Sequence, residues 1–198
     1  MPTATPSRLA VIIGSTREGR FGPVVADWFV RQARARGDLV VDVVDIAEAR
    51  LPAALSAPDE NGGYASPEVR AYAERIAAAD VFVVVTPEYN RGYPAALKHA
   101  IDCVYAEWQA KPVAFVGYAG GMSGGIRAVE QLRPVFTELH AVPLRDSVNF
   151  PHVHTRFGAD GEPLDAKEAE AAVKKLLDQL MWWGQALHEA RTWRPYVA

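Results

Sequence analysis

The sequence predicts an α/β domain built on a parallel sheet with helices on both faces. Short runs of β-branched residues alternate with longer amphipathic stretches, the order of repeated strand–helix–strand units. These runs are apolar throughout, as expected for strands that are buried on both faces. The 198 residues are enough for one compact core. We therefore expect a single domain over residues 1–198, with terminal extensions at 1–7 and 191–198.

Five segments have the composition of buried strands. The first, RLAVIIG at 8–14, is continuously apolar, and the strongest is DVFVVVT at 80–86. β-Branched and aromatic side chains favour the extended backbone of a sheet. The predicted strands cover residues 8–14, 39–46, 80–86, 112–117 and 142–148.

Each strand is followed by a stretch in which apolar residues recur at helical spacing. Pro23 suits the first turn of the first helix, and SPE at 66–68 supplies a cap, a first-turn proline and a first-turn acid to the second. The third apolar stripe extends to Tyr105 and Trp108. The last three predicted helices cover residues 94–108, 126–140 and 165–190.

Five such units in a chain of this size favour a flavodoxin-like three-layer sandwich, with a five-stranded parallel sheet of order 2-1-3-4-5. In open sheets of this kind, ligands bind beyond the carboxyl ends of the strands, near the point where the strand order reverses. We therefore expect a site made by the loops after strands one, three and four. These are loop 1 (14–22), loop 2 (86–94) and loop 3 (117–125).

Composition argues against several classes of protein. The 21 basic and 24 acidic residues give a net charge of −3, which provides no general attraction to nucleic acid or to an anionic membrane. No apolar run approaches the roughly 20 residues that span a bilayer, and the MPTATPSR start lacks the apolar segment of a signal peptide. A single cysteine excludes an internal disulfide. We expect a cytoplasmic protein without a metal site.

Loop 1 leaves a buried strand and enters a helix, which is the usual setting of a phosphate site. Unpaired backbone N–H groups and the positive end of the helix dipole favour an anion there. Ser15 and Thr16 add hydroxyls, while Arg17 and Arg20 add forked donors that suit phosphate oxygens. The alternative is a capped turn with two solvated arginines. The loop lacks the Gly-Lys-Ser/Thr ending of a nucleotide triphosphate loop and the G-x-G-x-x-G of a dinucleotide fold.

Loop 2 is stiffened by Pro87 and Pro94 and carries Tyr89 and Tyr93. Such a loop can present backbone N–H and C=O groups to a flat heterocycle and enclose it with aromatic rings. The alternative is that both tyrosines pack in the core and that Asn90 forms a turn.

Loop 3 has five glycines in nine positions, which leaves little side chain between its backbone and a ligand. Ser123 either caps the following helix or donates a hydrogen bond to the ligand. The alternative for the whole loop is a flexible connection.

These residues resemble the NADPH-dependent FMN reductases of the flavodoxin-like fold, a group that includes quinone, azo-dye and chromate reductases. The resemblance is carried by GSTREGR at 14–20, PEYN at 87–90, PAALKHAID at 94–102 and GGMSGG at 120–125. The PEYN segment with the following P-x-x-L-K-x-A-I-D is the specific part. Fold and motifs together cover about residues 8–190.

The resemblance implies FMN-binding residues in all three loops. They are Ser15, Arg17, Arg20, Phe21 and Gly22 at the phosphate, Pro87, Glu88, Tyr89 and Asn90 along the isoalloxazine ring, and Gly120, Ser123 and Gly124 at its other edge. The chain departs from the family at His99, where an asparagine is common, which affects the expected ring and partner contacts but leaves the expected fold unchanged.

The resemblance also implies an oxidoreductase with FMN as cofactor and NADPH (or NADH) as co-substrate. Hydride would pass through FMN to a small acceptor such as a quinone, azo compound, metal oxyanion or free flavin, and no side chain need act as acid or base. A homodimer or homotetramer is implied, with the third helix, including Tyr105 and Trp108, at a two-fold interface. The alternatives are a flavodoxin-type electron carrier and a flavin-free regulatory module.

Four other features have two interpretations each. His152-x-His154 belongs to a loop or binds a metal, and Cys103 serves packing or an interface. Glu88 is a catalytic acid, or it caps a helix or contacts a partner. A late aromatic cluster covers the core or forms a subunit contact; its members are Trp182, Trp183, Trp193 and Tyr196.

Overall fold

The computed structural model describes residues 6–56, 58–59 and 62–197. Within these ranges the chain forms five parallel strands in the order β2-β1-β3-β4-β5, which confirms the predicted fold class and strand order. The strands are β1 (Ser7–Ile13), β2 (Leu39–Asp45), β3 (Val81–Pro87), β4 (Pro112–Tyr118) and β5 (Val142–Phe150).

Helices cover both faces of the sheet. In the described ranges they are α1 (Gly22–Ala35), α2 (Pro67–Ala78), α3 (Ala95–Asp102), α4 (Ile126–Glu138) and α5 (Ala166–Trp193), with short 3₁₀ turns at Ala106–Trp108 and Val153–Thr155. Helices α1 and α5 pack on one face, and α2, α3 and α4 pack on the other. The side chain of Ser66 caps α2 by accepting a hydrogen bond from the Val69 amide, as the sequence predicts.

The middle strand β3 explains why the predicted strands are continuously apolar. Val83 and Val85 point into the core under α1 and α5, while Phe82 and Val84 point into the core under the other helices. All four side chains are fully buried. A strand in this position needs apolar residues on both faces because neither face meets water.

The strand register brings the expected site loops to one edge. Ile13 at the end of β1 pairs with Val85 of β3, and Thr86 of β3 pairs with Gly117 of β4. On its other side, Ile13 pairs with Asp45, the last residue of β2. Loops 1, 2 and 3 therefore leave the same edge of the sheet, beside the end of β2.

The prediction of one helix over 94–108 is wrong. Helix α3 ends at Asp102, and Trp108 lies in a separate 3₁₀ turn, where its indole N–H donates to the carbonyl oxygens of Ile101 (3.1 Å) and Val104 (3.2 Å). Carbonyls near a helix C-terminus lack partners within the helix, and the buried indole satisfies one of them, that of Ile101, together with that of Val104 just beyond the helix. Trp108 is 0% exposed and unavailable for the expected interface, whereas Tyr105 is 47% exposed.

The chain termini also differ from the prediction. Ser7, assigned to an extension, is the first residue of β1, and α5 continues to Trp193; residues 1–5 of the expected extension lie outside the described residues. The core-cover interpretation of the late aromatic cluster is wrong, because Trp182 and Trp193 are 64% and 88% exposed. No described helix is both long enough and apolar enough to cross a membrane.

Candidate functional site

Loops 1, 2 and 3 enclose a cleft at the carboxyl edge of the sheet. Its cavity volume is about 200 Å³, and it is partly open to solvent. The lining residues are Arg17, Glu18, Gly19, Arg20, Phe21, Pro87, Glu88, Tyr89, Tyr118, Ala119, Gly120, Val153 and His154. Seven of the twelve residues implied by the resemblance are therefore in this wall; Ser15, Gly22, Asn90, Ser123 and Gly124 lie outside it.

Arg20 is engaged within the protein. Its guanidinium makes two hydrogen bonds to the Asp45 carboxylate, of 2.6 and 2.5 Å, and donates a third to the carbonyl oxygen of Ser15 (2.6 Å). The side chains of Arg20 and Asp45 are only 17% and 12% exposed. The expected role as a free phosphate donor therefore fits Arg20 less well than a structural role, in which it fastens loop 1 to the end of β2.

The N-terminus of α1 has unpaired donors at the place where loop 1 predicts a phosphate. Among the described residues, no side chain caps this helix. The hydroxyls of Ser15 and Tyr118 pack against Gly22, its first residue, so closely that a Cβ on Gly22 would overlap Ser15 Oγ and stand 2.8 Å from the Tyr118 hydroxyl. Both hydroxyls are buried; they interact with each other, and within the described chain neither has a further hydrogen-bond partner.

Two hydroxyls that bond only to each other leave one O–H donor without an acceptor, which costs about 1–3 kcal/mol when buried and favours a ligand with acceptor oxygens beneath this helix end. Burial raises the pKa of Tyr118, which keeps its hydroxyl neutral and able to donate. A phosphate supplies both the acceptor oxygens and the negative charge that a helix N-terminus favours. The residues in this part of the structure therefore fit the phosphate of FMN.

Arg17 is exposed on loop 1, and its guanidinium lies over the ring of Tyr89 in loop 2, 4.2 Å from the ring centroid. A guanidinium at this distance from an aromatic face is attracted by the ring quadrupole. Both arginines line the cleft, but Arg17, unlike Arg20, has no carboxylate partner among the described residues. Its contact with Tyr89 also joins two of the three loops.

Loop 2 contains a tight turn. Tyr89 and Gly92 exchange two backbone hydrogen bonds of 2.9 and 3.0 Å, and the residues between them, Asn90 and Arg91, have φ values of 49° and 70°. Positive φ at both central residues is the type I′ pattern, which asparagine tolerates well. For Asn90 the alternative interpretation, a turn former, agrees with the structure.

Glu88 fastens loop 2 to α4. Its carboxylate accepts hydrogen bonds from the Arg127 backbone amide (3.1 Å) and the Arg127 guanidinium (2.8 Å), and it also bonds with Ser123. Burial by itself would raise the pKa of Glu88, but these hydrogen bonds outweigh it and lower the pKa below its ordinary value of 4.5. Glu88 is therefore an ionised helix cap and is unsuited to act as a catalytic acid near neutral pH.

Replacing Glu88 by glutamine should lower the free energy of unfolding by about 1–2 kcal/mol near pH 7, because the charged acceptor of two Arg127 donors is lost. A lowered pKa stabilises the fold above the unfolded value of 4.5, and this contribution disappears as the pH falls through the lower folded value. Urea unfolding should therefore give a difference in the free energy of unfolding between wild type and variant that is smaller at about pH 3.5 than at about pH 7. Glu130→Gln, at a carboxylate that is 64% exposed on the same helix, is the control. An equal difference at both pH values would contradict the assignment.

Loop 3 packs its backbone directly against the end of β4. Gly124 and Gly125 have φ values of 59° and 88°, and a Cβ on Gly125 would meet the amide nitrogen of Tyr118 at 2.5 Å. The Asn149 side chain donates to the carbonyl oxygen of Gly124 (3.2 Å), which fixes this turn to β5. Loop 3 is therefore an ordered turn, and of its three implied residues only Gly120 reaches the cleft.

Sequence reasoning gave no site role to three residues that shape the site, Asp45, Tyr118 and Arg127, and it considered His154 only as a loop residue or a metal ligand. Asp45 and Tyr118 lie at or next to the ends of predicted strands at the ligand edge, and they are the last residues of β2 and β4, so their position could have signalled a role. The Arg127 contact depends on tertiary packing. His154 lines the cleft and packs edge-on against Phe21, with ring centroids 5.2 Å apart.

The remaining candidate features have structural roles. Cys103 is buried at the end of α3, and burial raises the pKa of its thiol, in agreement with packing. His99 is half-buried and its Nε2 contacts the carbonyl oxygen of Pro52 at 2.8 Å. Within the described residues, no group of three histidine, cysteine or acidic side chains could hold a metal ion.

Comparison with known proteins identifies the family of the chain. The family model for NADPH-dependent FMN reductase matches residues 7–155. The chain is 35% identical over 153 residues to a protein named NAD(P)H-dependent FMN reductase from Schizosaccharomyces pombe, covering 73% of this chain and 74% of the relative. It is 31% identical over 183 residues to 2-hydroxy-1,4-benzoquinone reductase from a Burkholderia species, covering 89% and 95%.

Among solved structures, the flavoenzyme NAD(P)H:(acceptor) oxidoreductase FerB from Paracoccus denitrificans superposes with a TM-score of 0.73 and 26% identity, covering 91% of this chain and 98% of FerB. The family match covers well over half of the chain and includes loops 1, 2 and 3. The chain is therefore a member of the NADPH-dependent FMN reductase family.

Proposed function

We propose that the chain binds FMN in the cleft between loops 1, 2 and 3 and uses NADPH or NADH to reduce a small acceptor. The observation that carries this proposal is the buried pair of hydroxyls, Ser15 and Tyr118, which have no further hydrogen-bond partner among the described residues and lie beneath the uncapped N-terminus of α1. Arg17 at the cleft rim adds a cation at the same end. Family membership supports the choice of FMN over other phosphorylated ligands.

The chain's own residues would bind and orient the cofactor. The α1 amides and Arg17 hold the phosphate, the Arg20–Asp45 pair fixes the shape of loop 1, and Tyr89 with the backbone of loop 2 borders the ring. When bound, FMN supplies the hydride chemistry that amino-acid side chains lack. Because Glu88 is occupied as a helix cap, no acid or base is assigned to the reaction.

A quinone is the acceptor class that we favour, since one of the most similar relatives is a 2-hydroxy-1,4-benzoquinone reductase. A flat aromatic acceptor also suits a cleft bordered by Phe21, Tyr89 and His154. Azo compounds, metal oxyanions and free flavin are the other acceptor classes of this proposal. We also propose a cytoplasmic homodimer or homotetramer.

Replacing Arg17 by alanine should raise the dissociation constant for FMN about tenfold to thirtyfold, roughly 1.5–2 kcal/mol, because a charge-assisted hydrogen bond to phosphate is lost. Titration of FMN into protein stripped of flavin measures this directly. Arg145→Ala, which removes an arginine whose side chain is 94% exposed on β5, is the charge-matched control. Unchanged FMN affinity in Arg17→Ala would show that the phosphate lies elsewhere.

The reductase proposal is separated from its alternatives by the visible spectrum under anaerobic conditions. The FMN-loaded protein should be yellow and should bleach rapidly when NADPH is added. A flavodoxin-type carrier would stay coloured unless a separate reductase were supplied. A flavin-free regulatory module would be colourless and would remain so after incubation with FMN.

A further inference from the structure

The contact between Arg17 and Tyr89 crosses the mouth of the cleft and has a geometry that suits a phosphate-binding arginine. The guanidinium lies over the Tyr89 ring, 4.2 Å from its centroid. At this distance the ring attracts the positive charge without using the guanidinium N–H groups as a conventional hydrogen-bond acceptor would. A guanidinium that is packed in this way can therefore still donate to phosphate oxygens.

Tyr89 is well suited to serve as the fixed partner of this contact. Its backbone is locked by the two hydrogen bonds with Gly92, and the preceding residue, Glu88, is fastened to Arg127 at the start of α4. Tyr89 itself is half-buried. The backbone that carries the ring is thus held by the turn and by a helix, whereas Arg17 lies on the exposed part of loop 1, next to Glu18 and Gly19.

An exposed arginine samples many rotamers, and this freedom is lost when it binds a ligand. A stack on a fixed ring restricts the rotamers before the ligand arrives, so less affinity is lost to ordering. We propose that Tyr89 is a positioning residue, whose ring face holds the Arg17 guanidinium in place to receive the phosphate of FMN. This inference rests on the proposed function, since it requires FMN to bind in the cleft.

A role in positioning Arg17 differs from simple contact with the flavin ring. If Tyr89 only borders the isoalloxazine, its loss weakens FMN and riboflavin equally, because both carry the same ring. If it positions Arg17, its loss weakens FMN more than riboflavin, because only FMN has the phosphate. The ratio of the two dissociation constants therefore reports the positioning role alone.

The experiment titrates FMN and riboflavin separately into flavin-stripped wild-type protein and into Tyr89→Leu, Tyr89→Phe and Arg17→Lys. In Tyr89→Leu the preference for FMN over riboflavin should fall about three- to tenfold, in line with a partly exposed cation–π contact. Tyr89→Phe retains the ring face and should retain the wild-type preference. Arg17→Lys retains the charge but loses the planar stack, and its preference should fall to a similar extent.

An unchanged preference in Tyr89→Leu, or an equal loss in Tyr89→Phe and Tyr89→Leu, would overturn the inference. Circular dichroism shows whether Tyr89→Leu folds. If it does not, Arg17→Lys is the deciding variant, since it changes only an exposed side chain. A preference for FMN over riboflavin in Arg17→Lys equal to that of the wild type would then overturn the inference. Wild-type protein that binds FMN no more tightly than riboflavin would instead refute the proposed phosphate site. The failure of the inference is thereby distinguished from the failure of the proposed function.

Discussion

Replacing Gly125 by alanine should lower the free energy of unfolding by about 3–4 kcal/mol, as the sum of two effects. The first is conformational, because Gly125 has φ of 88°, a region that residues with a Cβ rarely adopt. The second is steric, because the new Cβ would lie 2.5 Å from the Tyr118 amide nitrogen and 2.7 Å from the Gly117 Cα. Both atoms belong to the backbone of β4, so neither can move without disturbing the sheet.

Thermal unfolding should detect this change as a decrease of about 6–12 °C in melting temperature for a chain of this size. Gly121→Ala is the matched control in the same loop. No described atom lies within 4 Å of the position that an alanine Cβ would take there, and the residue is exposed, so the melting temperature should stay close to wild type. Equal stability of the two variants would contradict the close packing of loop 3 on β4.

The second large effect is expected at the Arg20–Asp45 pair. Asp45→Asn removes the charge that compensates Arg20, whose side chain is only 17% exposed, and should lower the free energy of unfolding by about 2–3 kcal/mol. FMN affinity should fall as well, since the pair fastens the proposed phosphate loop to the end of β2. Urea unfolding of the flavin-stripped protein and FMN titration measure the two consequences separately.

Asp42 provides a control on the same strand. It also accepts two hydrogen bonds from an arginine, Arg75, but the two side chains are 46% and 41% exposed. Solvent screens such a pair, and Asp42→Asn should cost less than about 1 kcal/mol and leave FMN binding unchanged. If the two asparagine variants lost equal stability, burial would not be what makes the Arg20–Asp45 pair important.

The fold was largely predictable because the strands are buried on both faces. A segment such as DVFVVVT at 80–86 has few alternatives to a central strand, and alternation with helices then constrains the order of the sheet. The end of α3 was not predictable from periodicity. The apolar spacing continues to Trp108, but the helix ends earlier, and the buried indole bonds to the carbonyls of Ile101 and Val104.

The site was predictable in location and only partly in detail. The expectation that three loops meet at one edge follows from parallel strands, whose carboxyl ends all lie there. The different positions of Arg17 and Arg20 could not be read from loop 1, where both look like phosphate donors. Arg20 forms an ion pair with Asp45, which is 25 residues away in sequence. Arg17 lies over the ring of Tyr89 instead.

By itself, the sequence determined the α/β class, the strand order and the edge at which a ligand would bind, because these depend on local hydrophobic pattern and on the handedness of crossovers. Only the tertiary structure decided which polar groups remain available. Arg20 and Glu88 are paired with partners from distant segments, whereas the Ser15 and Tyr118 hydroxyls beneath α1 have only each other among the described residues. Pairing of this kind depends on distance in space, which a pattern along the chain does not record.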